Sequence, residues 1–254
     1  MQEIIIFIFG MCIGSFLNVC IYRFQTSKNI LKPARSECPV CKKKILFYHN
    51  IPVISYVWLK GRCHNCNSPI SFRYPFLEIT GGFFALCMLI KFGPTLTGSI
   101  YYIFIACLLV ITFIDIDQQI IPDAITLPGI LIFLGASFFI PESSFKDSAT
   151  GIIAGGGILY TIAFFYNFIT KTQGMGGGDI KLLAMIGAIL GWKGVIFTIF
   201  TSSLLGTFSG IIIMLVQKKN MKLAIPFGPF LSMGAITYLF WGSSLIKWYL
   251  NLAQ

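Results

Sequence analysis

Three stretches, Ile4 to Tyr22, Phe92 to Ile114 and Val195 to Val216, contain no charged side chain, and each reaches the roughly 20 residues a helix needs to cross bilayer hydrocarbon. A chain of 254 residues that is 56% hydrophobic and only 11% charged carries more apolar surface than a soluble core can hide. Frequent Gly and Pro interruptions, and the lack of a recurring alternating pattern, exclude lipid-facing strands. The fold class expected is an all-α polytopic membrane protein. The first stretch opens on Gln2 and Glu3, lacks a basic leading region and shows no Ala-x-Ala site before Arg23, so it is read as a retained helix and not a secretory signal.

Apolar runs predict about eight transmembrane helices, near 3–22, 75–92, 97–115, 124–141, 149–170, 180–192, 194–216 and 227–250. The division that follows is a first helix over 1–22, a polar insert over 23–74 and a seven-helix membrane core over 75–254. Fifteen of the nineteen Lys and Arg fall in the segments 23–74, 171–181 and 217–226. By the positive-inside rule those segments are cytoplasmic and both termini face outward. The net charge of +10 is therefore explained by topology and anionic headgroups, with the lipid bilayer as partner and no nucleic acid. The span at 180–192 is short and needs shielding by neighbouring helices.

Four of the eight cysteines, Cys12, Cys20, Cys87 and Cys107, sit in apolar runs, where a thiol behaves as a small hydrophobe. The other four form two pairs, Cys38 with Cys41 and Cys63 with Cys66. A two-residue gap lets two thiolates converge on one ion, and two such pairs complete a tetrahedral four-sulfur zinc site. Two disulfides are the alternative, which a reducing cytoplasm disfavours. His49 and His64 are substitute ligands only if a thiolate is missing. An insert this poor in large apolar side chains cannot easily fold unaided, so the Zn²⁺ is expected to be its structural staple, and a closed four-sulfur shell has no position for a catalytic water.

Of nine acidic residues, four cluster at helix ends: Asp115, Asp117 and Asp123 in FIDIDQQIIPD, and Asp179 in GMGGGDIKL. Carboxylates at a membrane boundary are costly unless they face water, a partner or a cavity. Asp123 is accounted for as an N-cap of the fourth span, and Asp117 points roughly 200° away from Asp115 on a continuing helix. Before Asp179, three glycines permit a sharp turn and close approach of another chain, although a plain loop is the simpler reading, and Lys181 is a candidate ion-pair partner for it. If aspartates from two helices meet, mutual repulsion leaves one protonated beside an ionised one. That pair has the form an aspartic peptidase uses.

These residues resemble the type IV prepilin peptidases, a family of bifunctional leader peptidases and N-methyltransferases. The likeness spans nearly the whole chain: GSFLNVCIYR at 14–23, the two Cys pairs, SFRYPFLE at 71–78, FIDIDQQIIPD at 113–123 and GMGGGDIKL at 174–182, in the family's order. The resemblance implies Asp115, seven residues before Pro122, and Asp179 as the catalytic pair. It implies prepilins or pseudopilins as substrates, cut at the cytoplasmic face of a bacterial inner membrane, and S-adenosylmethionine as the cofactor of a second, methylating activity. No nucleotide-binding glycine motif locates that cofactor. Glu78 is a candidate for its site, with a helix-dipole contact as the equal alternative. From a different class, a transporter or channel with a cytoplasmic zinc-binding domain also uses intramembrane acids, but these acids lie at one face without paired repeats.

Overall fold

A computed structural model describes residues 1–26, 36–141, 143–171, 176–217 and 225–252. Gly174 and Met175 of the glycine motif, and the basic residues Lys218, Lys219 and Lys222, lie outside the described residues. The apolar runs form helices throughout: α1 (Gln2–Gln25), α2 (Ile54–Trp58), α3 (Arg73–Phe92), α4 (Leu96–Gln118), α5 (Asp123–Ala136), α6 (Phe145–Thr170), α7 (Gly177–Gln217) and α8 (Gly228–Leu252). Among the described residues the only strand-like pairings are two isolated bridges. Among the described residues five helices, α1, α3, α4, α6 and α7, are long and apolar enough to cross a membrane. The chain is thus an all-helical multi-pass membrane protein.

The chain divides within α4 into two compact units, Met1–Val110 and Ile111–Gln254. In the first, α1 and α3 approach closely because glycines face glycines. A methyl group on Gly14 would sit 2.7 Å from the Glu78 Cα, and one on Gly81 would sit 2.8 Å from the Gly10 carbonyl. Small residues at such spacing are how membrane helices gain packing without a hydrophobic driving force. Polar groups lock the pair: Tyr102 donates to the carbonyls of Gly10 and Gly81 at 3.4 and 3.2 Å, and buried Asn18 donates to the Tyr74 carbonyl at 3.1 Å.

The second unit is built around α7. Its first turns bury Leu182, Leu183, Met185 and Ile186 completely. Gly151 of α6 meets Gly187 of α7 backbone to backbone, and Gly129 of α5 lies under the Met185 side chain. α7 is broken at Gly191, whose φ of 68° and ψ of −179° are not helical and are open chiefly to glycine. The break falls where the sixth and seventh predicted spans adjoin. α5 is shorter than expected, 14 residues followed by one 3₁₀ turn, Ser137–Phe139. Asp123 is not the N-cap of α5. Pro122 holds that position with extended backbone, no side chain caps it, and Asp123 is already the first helical residue.

Candidate functional site

In the second unit Asp115 lies one turn from the end of α4 and is only 4% exposed. Its Oδ2 accepts the backbone N–H of Gly228 at 2.9 Å, at the first residue of α8, where unsatisfied amides and the helix dipole favour negative charge. A methyl group on Gly228 would fall 2.7 Å from that oxygen, so the hydrogen bond requires glycine. Asp179 sits in the first turn of α7, half-buried and within the electrostatic reach of Asp115. Its own N–H bonds to the Gly176 carbonyl at 3.2 Å. Gly178 packs on Ile121, whose Cβ would be 2.8 Å from an added methyl, which explains a glycine immediately before the carboxylate.

The neighbouring acids go elsewhere. Asp117 is exposed, as a position two residues beyond Asp115 on one helix must be when Asp115 faces inward. Asp123 pairs with Lys181 at 2.7 Å, so the lysine beside Asp179 engages α5 and not its near neighbour. The contact from Gly228 escaped the sequence reading. Its only signal is the run Pro226–Phe–Gly–Pro229 at the head of the last apolar stretch.

In the first unit the Sγ atoms of Cys38, Cys41, Cys63 and Cys66 all lie within 4.8 Å of one another, with Cys38 and Cys66 at 3.9 Å. A tetrahedral ion with metal–sulfur bonds of about 2.3 Å would space its sulfurs at roughly 3.8 Å, so the cluster fits a metal ion. The two pairs are built alike. The Cys38 N–H bonds to Lys43, and that of Lys42 returns to Cys38; the Cys63 N–H bonds to Ser68, and that of Asn67 returns to Cys63. Lys42 and Asn67, each following its second cysteine, have φ of 58° and 56°. Burial raises the Cys38 thiol, but backbone N–H groups at Cys41 and Val40 and the Cys63 and Cys41 thiols outweigh it and bring it to about 6. Cys41, drawn down by the Lys43 backbone, is pushed up to about 11 by desolvation and by the Cys38 and Cys66 thiols. Thiols so crowded ionise together only around a cation. The rings of His49 and His64 lie against each other, tilted by 48° with centroids 4.5 Å apart, and are not members of the ligand cluster.

Glu78 is 8% exposed, in the second turn of α3. It accepts the Val53 N–H at 2.7 Å and a hydrogen bond from Ser15. A contact with the helix N-terminus alone therefore does not describe it, because its partners come from α1 and from the segment between the cysteine pairs. Beside it lies a cavity of about 400 Å³ bordered by Asn18, Tyr22, Arg23, Cys38 and Cys63.

Comparison with known proteins also divides the chain in two, between residues 92 and 102. Residues 8–92 match the bacterial peptidase A24 N-terminal domain, and residues 102–211 match the type IV leader peptidase family. A prepilin leader peptidase/N-methyltransferase of Aeromonas hydrophila is 35% identical over 97% of this chain and 93% of the relative. Proteins of the same name from Legionella pneumophila and Pseudomonas putida are 33% and 32% identical, covering 98% and 94% of this chain and 94% and 90% of their own. No solved structure matches the chain. Nothing in these likenesses supports the transporter alternative. With both family models in order along the sequence and relatives aligned nearly end to end, the chain belongs to the type IV leader peptidase family.

Proposed function

We propose that the chain is an intramembrane aspartic endopeptidase that removes the leader peptide of type IV prepilins and pseudopilins, with Asp115 and Asp179 as its catalytic pair. The observation that carries the reading is the buried Asp115, anchored at the α8 N-terminus, with Asp179 in its field. One carboxylate of such a pair, ionised, takes a proton from water as it attacks the scissile carbonyl. Its protonated partner donates a hydrogen bond to the carbonyl oxygen, and the proton is then delivered to the leaving amine. Gly177, in the first turn of α7 with open space beside it, leaves room for a peptide backbone next to Asp179. Names of the relatives support prepilins as substrates and N-methylation of the new terminus as a second activity, for which bound S-adenosylmethionine would supply the methyl group.

The metal is zinc, and it is structural. Four thiolates close its shell, which holds the insert over 23–74 together without contributing to cleavage. Eight helical segments, counting the two arms of α7, cross the membrane. The basic segments, and with them the peptidase end of α4 and α7, face the cytoplasm. N-terminal mass spectrometry of a co-expressed prepilin tests both activities at once. Leader loss and a methyl increment on the mature residue are the expected outcome. An intact leader beside a folded, inserted enzyme would overturn the peptidase assignment.

A further inference from the structure

We propose that the cavity beside Glu78 is the S-adenosylmethionine site and that Glu78 faces the cofactor's positive charge. The inference rests on the methyltransferase reading given above and adds its place and its recognition chemistry. At about 400 Å³ the cavity has the size of a small-molecule pocket. Its lining joins the last turns of α1, the first turns of α3 and both cysteine pairs, all within the first unit.

The chemistry of the wall selects the ligand. A lipid acyl chain calls for no buried charge, whereas here a carboxylate that is 8% exposed and an arginine, Arg23, that is 7% exposed border one space. S-adenosylmethionine carries a sulfonium and an ammonium, a carboxylate, and an aromatic purine. The acid answers the first two, the guanidinium the third, and Tyr22, Tyr56 and Tyr74 offer faces to a purine or a sulfonium.

The backbone supplies a second, independent sign. Val53, also on the wall, holds φ at 60°, a conformation rare and costly for a β-branched residue. The strained turn is fixed by its N–H bond to Glu78. One carboxylate thus ties the cysteine-bearing segment to α3 at the edge of the cavity, which pre-organises the site. Cys38 and Cys63 also line the cavity, so the metal staple holds part of its wall in shape.

The test uses the full chain, metal-loaded, in nanodiscs, with radiolabelled S-adenosylmethionine as probe. Wild-type protein should bind it saturably, and Glu78→Gln, which keeps an acceptor for Val53, should weaken binding roughly tenfold or more. Metal content and thermal unfolding establish that the variant is folded. Independently of any variant, an azido derivative of the cofactor should photolabel wild-type peptides from 15–23 or 45–78. Labelling within 111–254, or a folded Glu78→Gln that binds as wild type does, overturns the location while leaving the methyltransferase reading intact. No binding by wild type, when a co-expressed prepilin emerges cleaved but unmethylated, overturns both.

Discussion

Gly228 has no side chain, yet it decides where the Asp115 carboxylate rests, because its N–H holds Oδ2 in space that a methyl group would occupy. Gly228→Ala should therefore insert and fold but lose leader cleavage roughly a hundredfold, the usual consequence of misplacing a reacting group by about an ångström; near-normal cleavage of a prepilin would contradict the role given to that bond. Asp115→Asn and Asp179→Asn should each lose roughly 10²–10⁴-fold in cleavage rate, since an amide cannot take a proton from water. The double variant should be little worse than either single one, because the two groups act as a unit. Asp117→Asn and Asp123→Asn should keep substantial activity, the second losing only an exposed pair with Lys181 of small energetic value. Among these acids the sequence alone separated Asp115 from Asp117 by helical geometry but could not choose between them. The choice came from family resemblance. Asp123 looked like a cap because Pro122 precedes it, and its ion pair with Lys181, 58 residues away, leaves no local trace.

At the scale of elements, the cysteine pairs were legible because their geometry is local: a two-residue gap and the turn after it suffice to aim two thiols at one point. Cys38→Ser or Cys63→Ser should lose bound metal, measured by elemental analysis of purified protein, and lower the unfolding temperature of the first unit. Retention of a full equivalent of metal would contradict the four-thiolate assignment. A permeant chelator should leave leader cleavage intact in a short assay, whereas prompt inhibition reversed by zinc would move catalysis to the cysteine site. Apolar length gave the helices, and glycine at 191 fits the break in α7. The tie between Glu78 and Val53 was not legible, since it depends on a strained turn that no propensity favours. The meeting of α1 and α3 is as exacting. Gly14→Ala places a methyl group 2.7 Å from backbone and should destabilise the pair by about 1–3 kcal/mol, read as a lower melting temperature in detergent.

For the whole molecule, orientation rests on charge. Lys60→Cys should react with an impermeant maleimide only from the cytoplasmic side, above the wild-type background, and Ser144→Cys only from outside; the reverse would place the acids on the wrong face for a leader that has not crossed. Another consequence follows from length. α5 with the 3₁₀ turn that continues it runs over Asp123–Phe139, and the arm of α7 from Gly177 to the break at Gly191 is shorter, so they measure roughly 27 Å and 21 Å against a hydrocarbon thickness of about 30 Å. These arms begin beside Pro122 and Asp179. The α7 arm is buried by its neighbours, but α5 exposes Leu127, Leu131 and Ile132, so a bilayer beside α5 must thin or let its headgroups sink, at a cost of fractions of a kcal/mol per ångström of hydrophobic mismatch. The enzyme is then tuned to membrane thickness as well as to its substrate, and in proteoliposomes its turnover should decline steadily as the acyl chains of the host lipid are lengthened.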